Sequence, residues 1–556
     1  MSEYSEYQEM ADLLLPDVTE TPEQVLARYP RRELPSGAKV TRFAPSPTGF
    51  LHIGGLFTAM VNRLVAGPKG VCFLRIEDTD KKREVADGVT GIIQGLSGFG
   101  IRFDEGRPGP DSESGDYGPY LQSARRMIYR TFVKSLLVQG KAYPCFCTEE
   151  DLSALREKQE AQKLTPGYYG EWAVHRNITL DQVKQNLGEG KPFVIRLKSP
   201  GSMERRIGFK DGVKGKIEMP ENIQDVVILK QDGIPTYHFA HVVDDYLMGT
   251  THVIRGDEWI SSTPIHLQLF YMLGLKAPNY AHVSPIMKED GGGKRKLSKR
   301  KDPEASVEYY REQGVPAQSV TEYLMTIANS NFEDWRRQNA RTPLSEFPFQ
   351  LNKMSASGAL FDLKKLQDVS KNVISLMPAS EVYDLASGWA KQYDTELYAL
   401  LSRDPQYATA IFDIDRTPVK PRKDIGKWSD VRDYVSYFYD ELWDGQYDLP
   451  QNISSADAAA IARAYRDAFR PDDDRDAWFN GLKDLCEPLG FAREVKTYKK
   501  DPDSYKGHVG DVSGIIRVAV TGRRNTPDLH SILALLGKDR VISRLSRFEQ
   551  AMEAMQ

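Results

Sequence analysis

Cysteine is scarce in this 556-residue chain: Cys72, Cys145, Cys147 and Cys486 are all there is. Four thiols cannot staple a chain of this length, which argues against a disulfide scaffold and for a reducing compartment. Long apolar runs are also missing, and nothing approaches the roughly 20 residues that span a bilayer. The opening Met1-Ser-Glu-Tyr-Ser-Glu-Tyr-Gln-Glu has neither an apolar core nor arginines, so no leader is expected and the cytoplasm is the expected location. Charge of one sign is absent too. Lys and Arg number 74 against 78 Asp and Glu, a net −4, so any nucleic acid must be met by local basic surface. No repeat and no low-complexity tract stands out. The composition that remains, 40% hydrophobic and 27% charged, is that of a globular protein too long for one core.

Residues 1–37 read as an acidic, partly helical lead ending at Pro35-Ser36-Gly37, an appendage to the first core. A strand is predicted over 39–43, a proline-rich loop over 45–49, and a helix over 54–65, where Leu56, Met60, Val61, Leu64 and Val65 fall at helical spacing. A second strand over 71–76 ends in Glu77-Asp-Thr-Asp80, and a helix follows over 83–96. This order predicts an α/β fold with a Rossmann-like parallel sheet. Between 117 and 224, charged helices (124–138, 149–162) and a short strand over 193–198 mark an α/β insertion. The sheet is expected to resume over 226–230, turn at Asp232-Gly233 and continue over 236–240. A strand over 252–255 then leads to the helix-start signal Ser261-Ser-Thr-Pro264. After 307 the chain reads as all-α, with the apolar run 515–520 as an exception and Asn525-Thr-Pro-Asp528 as a turn with a cap. The expected domains are 1–37, 38–116 with 225–306 (the two catalytic halves), 117–224 (insertion), 307–375 and 376–556.

Two strings carry chemistry. In Ala44-Pro-Ser-Pro-Thr-Gly-Phe-Leu-His-Ile-Gly-Gly55, small residues let backbone approach a phosphate, and the helix start that follows offers unpaired N–H groups. His52 alone is more often a structural histidine; the whole string reverses those odds. Gly291-Gly-Gly-Lys-Arg-Lys-Leu-Ser-Lys-Arg-Lys301 would by itself be a solvated basic run. Together, in this order, they resemble the paired nucleotide-handling signatures of class I aminoacyl-tRNA synthetases.

The likeness narrows with Arg42-Phe-Ala44, Leu74-Arg-Ile-Glu-Asp-Thr-Asp80, Pro235-Thr-Tyr-His-Phe-Ala240, Val242-Val-Asp-Asp245 and His252-Val-Ile-Arg-Gly-Asp-Glu-Trp259, which resemble the bacterial glutamyl-tRNA synthetases. Gly118-Pro-Tyr-Leu-Gln-Ser123 and Gly140-Lys-Ala-Tyr-Pro-Cys-Phe-Cys147 resemble their acceptor-stem-binding insertion. Val518-Ala-Val-Thr-Gly522 with Pro527-Asp-Leu529 resembles their helical anticodon-binding domain. The resemblance runs from about residue 38 to near the C-terminus and implies ATP-dependent activation of L-glutamate with Mg²⁺, then transfer to the terminal adenosine of tRNA(Glu). Charging of tRNA(Gln) stays open, and a monomer away from membranes is expected.

The same resemblance implies the site. ATP falls to Thr48, Gly49, His52, Gly54, Gly55, Lys296, Ser298 and Lys299, with His52, Lys296 and Lys299 stabilising charge on the leaving pyrophosphate. A substrate with two carboxylates suits forked cations. Arg42 and Tyr237 are assigned to the side-chain carboxylate, Arg255 to carboxylate contacts and Glu77 to the ammonium, with Ala44, Ser46 and His241 in the same pocket. His241 stands where many relatives carry asparagine, and Phe57 where they usually carry arginine. Zinc is expected to be absent, because Trp172 occupies the third ligand position of the Cys145–Cys147 motif and His175 is displaced in sequence. The alternatives are a glutamate-dependent modifier of queuosine in tRNA, which lacks the long helical region; a glutaminyl enzyme; and a silent paralogue that only binds RNA or a protein.

Overall fold

Two helices, α1 (Glu3–Leu14) and α2 (Pro22–Arg28), come first in a computed structural model that describes residues 3–47, 51–79, 87–109, 112–298, 300–417 and 419–555. Thr21 caps α2 with a reciprocal box, its hydroxyl taking Gln24 N–H while the Gln24 side chain takes Thr21 N–H, an arrangement worth about 1 kcal/mol. The chain divides into two units, residues 1–309 with 321–362 and residues 310–320 with 363–556.

In the first unit, β1 (Val40–Phe43) is buried along its length, as a strand covered on both faces should be. It leads through α3 (Ile53–Ala66), β2 (Val71–Leu74) and α4 (Gly88–Gly98) to β3 (Glu105–Gly109). β1, β2 and β3 pair in parallel, and β4 (Ser112–Ser114) closes that edge antiparallel. The insertion follows as α5 (Arg126–Val138), β5 (Ala142–Cys145), α6 (Glu149–Ala161), α7 (Leu180–Gly188) and β6 (Val194–Leu197). A hairpin of β7 (Arg206–Asp211) and β8 (Gly215–Pro220) precedes β9 (Val227–Leu229).

Two expectations fail here. β9 does not resume the catalytic sheet; it pairs antiparallel with β6 in the order β5-β6-β9. A short apolar run does not encode its partner. Residues 237–240 are not a strand but the start of α8 (Tyr237–Leu247), with only Thr236 extended as its N-cap. Phe239, Ala240, Val242, Val243 and Leu247 are buried, and so are the polar His241, Asp244 and Asp245, so no exposed face marks the helix.

The parallel arrangement returns at β10 (His252–Gly256), which through α9 (Thr263–Met272) reaches β11 (Asn279–Val283). Pro264 sits in the first turn of α9, as its signal predicts. β10 lies against β1, with Thr251 N–H donating to Val40 O at 3.0 Å. The sheet thus grows one way from β1 and the other way from β10. Such a reversal opens a crevice beyond the strands' carboxyl ends. The basic stretch forms a hairpin of β12 (Met287–Asp290) and β13 (Gly293–Lys296). Its two-residue turn, Gly291 and Gly292, has φ of +57° and +88°, which glycine adopts without strain.

The lead is no appendage. Met10, Leu14, Leu15, Val18 and Val25 share one apolar core with Ile128, Phe132 and Leu136 of α5 and with Val242 and Val243 of α8. The second unit gathers its helices around a core of its own. Residues 515–520, expected to break the helical pattern, lie inside the helix Val509–Thr521, where nearly every apolar side chain is buried. Asp528 does cap the helix that follows, accepting from Ser531 N–H. Among the described residues no helix is long and apolar enough to cross a membrane.

Candidate active site

A cleft of about 1190 Å³ opens at the carboxyl ends of β1 and β10, larger than the roughly 300–1,000 Å³ of a typical small-molecule pocket. Arg42, Ala44, Ser46, His52, Gly54, Gly55, Glu77, Tyr237, Arg255, Lys296 and Ser298 all line it, although up to 256 positions separate them in the chain. Thr48, Gly49 and Lys299 lie outside the described residues.

At one end α3 begins. His52 is its N-cap, and Nδ1 accepts from Gly55 N–H at 3.0 Å. That bond puts the proton of a neutral ring on Nε2, as donation to a phosphate oxygen requires. A Cβ on Gly54 would come within 3.0 Å of the imidazole, so glycine there keeps the ring in place. Phe57 lines the same wall but is an apolar, buried side chain.

The hairpin's cations divide into two kinds. Arg295 is held by Asp302 at 2.6 and 2.8 Å and by Asp290 at 2.6 Å. Lys288 is held by Asp302 at 3.1 Å and by Glu304. Asp302 also accepts from Ser298 N–H at 2.9 Å, and its bonds with Arg295 hold its carboxyl well below the ordinary range despite burial. Lys296, by contrast, lines the cleft and makes no ion pair among the described residues. Sequence reasoning missed Asp302, whose role is visible only when the chain folds back.

At the other end sits a buried charge network. Asp245 takes Arg42 Nε at 3.1 and 3.2 Å and Arg75 Nη1 at 2.9 Å. Those arginines hold its carboxyl far below the ordinary range although burial pushes the other way. Arg75 also donates to Glu77 at 3.0 Å. Burial raises the Glu77 carboxyl above its usual range in spite of Arg75 and Arg42. Tyr237 packs against Trp259, ring centres 4.1 Å apart. Trp259 also lines the cleft.

His241 is the site residue the structure moves. It is fully buried behind Tyr237, stacked on it at 5.8 Å, and does not line the cleft. Its Nδ1 lies 2.6 Å from Asp245 without a hydrogen-bonding angle, and its Nε2 is 3.1 Å from Tyr280 Oη. Burial pushes its pKa down to about 3, so it backs the pocket as a neutral ring.

Arg255 is buried, yet it makes no ion pair among the described residues. Its guanidinium donates to His282 Nε2 at 3.1 Å, His266 Nδ1 at 3.1 Å, Thr263 Oγ1 at 3.0 Å and Trp259 O at 3.3 Å. It also lies 4.8 Å from the centre of the Tyr280 ring.

On the insertion, Cys145, Cys147 and His175 bring their ligating atoms within 4.8 Å of one another. Cys147 Sγ is 3.3 Å from His175 Nδ1, and Tyr168 Oη is 3.4 and 3.5 Å from the two sulfurs. The helical turn Gly170–Trp172 brings residue 175, rather than 172, to the thiols, so the displacement seen in sequence does not persist in space. Hydrogen bonds from Cys147, His175 and Tyr168 lower the Cys145 thiol against burial. Two sulfurs and an imidazole are three of the four ligands that a structural zinc ion takes.

The family model of tRNA synthetases class I (E and Q), catalytic domain, matches residues 39–368, and that of an anticodon binding domain matches residues 502–548. The chain is 51% identical over 547 residues to a glutamate–tRNA ligase of Clostridium perfringens, covering 98% of this chain and 99% of that one. It is 48% identical over 546 residues to one from Acetivibrio thermocellus, covering 98% and 100%. A solved glutamate tRNA ligase from Elizabethkingia meningosepticum, in complex with its amino acid, is similar at a TM-score of 0.72 and 27% identity, covering 92% of this chain and 99% of that one. With a family model matched over more than half its length and near-full-length relatives at about half identity, this chain belongs to the class I tRNA synthetases of the E and Q group.

Proposed function

We propose that the chain is a glutamate–tRNA ligase. One observation carries the reading: a single cleft joins cations suited to a dicarboxylic amino acid with a helix start and a basic hairpin suited to a triphosphate. Glutamate places its side-chain carboxylate toward Arg42 and Tyr237, its ammonium toward Glu77 and a carboxylate against Arg255. ATP, entering with its Mg²⁺, lays its phosphates along His52, Gly54, Gly55 and Lys296, with Thr48, Gly49, Ser298 and Lys299 assigned to the same nucleotide. An oxygen of the glutamate α-carboxylate attacks the α-phosphorus, the α–β bridge breaks, and pyrophosphate leaves with the charge that Lys296 meets. A ribose hydroxyl of the terminal adenosine of tRNA(Glu) then attacks the acyl carbon and AMP departs. Positioning and charge stabilisation supply the catalysis, and no enzyme nucleophile is needed.

Lys296→Ala tests the nucleotide half. We expect pyrophosphate exchange in the presence of tRNA to fall about tenfold to a hundredfold in kcat, with the glutamate KM within about twofold. A parent-like rate takes Lys296 out of the mechanism.

The whole reading is tested by labelled glutamate and separate tRNA(Glu) and tRNA(Gln) transcripts. Incorporation into tRNA(Glu) that vanishes after periodate oxidation of the 3′ ribose is the expected result. Incorporation that survives periodate means modification of a base, and none with either transcript means a silent paralogue. The tRNA(Gln) arm decides how strictly the anticodon is read. A metal ion at Cys145, Cys147 and His175 would lie outside the cleft's lining and would still need a fourth ligand to make a structural zinc site.

A further inference from the structure

A buried guanidinium ordinarily faces a carboxylate, as Arg42 and Arg75 face Asp245. Arg255 faces two imidazoles instead, which constrains them. Each ring nitrogen that accepts from Arg255 must carry no proton, so each histidine is neutral and confined to one tautomer. His266 accepts through Nδ1; its Nε2–H donates to His238 Nδ1 at 3.0 Å. His282 accepts through Nε2; its Nδ1–H points at Asp211 Oδ2, 2.6 Å away. Burial, then the nearby charge of Arg255, lowers the pKa of His238; burial also drives those of His266 and His282 down. Asp211 lies at the end of β7 in the insertion. It accepts N–H groups from Val213, Lys214 and His282. These bonds and the His282 ring keep its carboxyl below the usual range although burial opposes them.

We propose that Asp211 and His282 are positioning residues for Arg255: the carboxylate locks His282 in the tautomer that accepts from Arg255 Nε. The guanidinium is thereby held in place without being neutralised, and its charge is reserved for a carboxylate of the amino acid. This rests on the assignment of Arg255 to glutamate made above. Asp211 stands 71 positions from His282, so the insertion hairpin reaches the amino-acid pocket through a side chain.

Asp211→Asn separates a tautomer lock from a mere brace. The amide oxygen can keep the backbone N–H bonds of residues 213 and 214, which places the NH₂ against His282 Nδ1. The ring must then move its proton to Nε2, and two donors face each other across the 3.1 Å to Arg255. An amide in place of the carboxylate disables an Asp–His pair by the same tautomer reversal in serine proteases. We expect the glutamate KM in tRNA-dependent pyrophosphate exchange to rise about tenfold, the ATP KM to stay within about twofold, and the melting temperature to stay near the parent's.

The decisive comparison adds Asp211→Asn to His282→Gln. A glutamine at 282 has an amide oxygen that accepts from Arg255 whatever stands at 211, so the second change should then shift the glutamate KM by less than about twofold. Additive effects, or an unchanged KM in Asp211→Asn alone, overturn the proposal. Arg255→Ala run alongside keeps the two failures apart. If it impairs glutamate use while the other two variants add, only the lock falls; if it leaves the glutamate KM unchanged, the assignment of Arg255 itself falls.

Discussion

Arg255→Ala should lower kcat/KM for L-glutamate by about a hundredfold, almost wholly through KM, while the KM for ATP moves little. The guanidinium is buried and meets only neutral acceptors. A substrate carboxylate bound there is therefore the sole opposite charge it touches among the described groups. Truncating one member of such a hydrogen-bonded pair costs about 2–5 kcal/mol, and near 3 kcal/mol that is two orders of magnitude. The contact exists in ground and transition states alike, which is why KM carries the loss. Arg255→Lys should recover only part of it, because an ammonium cannot reproduce the fork that engages both imidazoles. Pyrophosphate exchange over a glutamate series, with tRNA present, gives the answer. A KM within about twofold of the parent would remove Arg255 from the pocket.

Asp245→Ala should be the most damaging single change to stability. Its carboxylate is fully buried between Arg42 and Arg75, and removing it leaves both guanidiniums without their shared counter-ion. Loss of one partner from a buried ion pair costs about 3–5 kcal/mol. The first thermal transition should drop by several degrees, and glutamate use should suffer with it because Arg42 loses the group that orients it. Asp245 titrates in the folded chain far below its ordinary value. Its contribution is therefore complete above the unfolded carboxylate range and fades only as pH falls through strongly acid values. A variant that melts with the parent at neutral pH contradicts this account.

What could be read from residues alone was local. The handover from β1 to α3 and the start of α9 announce themselves through proline, glycine and hydroxyl signals. Residues 236–240 and 515–520 misled for one reason: over so few residues a buried apolar run looks the same as a strand or as part of a helix. The pocket-lining set was legible because resemblance tied scattered motifs together. Asp211, Asp245, His266, His282 and Asp302 were not assigned, since each is one ordinary residue whose partner lies elsewhere in the chain. His241 is the converse case, placed in the pocket by its position in a motif yet set behind Tyr237 by the packing of α8.

The two N-terminal helices have a practical bearing. Met10, Leu14, Leu15, Val18 and Val25 are covered by α5 and its neighbours, each side chain contributing about 1.5–3 kcal/mol of burial. Trimming the gene to begin at Lys39 would lay bare a greasy stripe along Arg126–Val138 and invite self-association before any catalytic question could be asked.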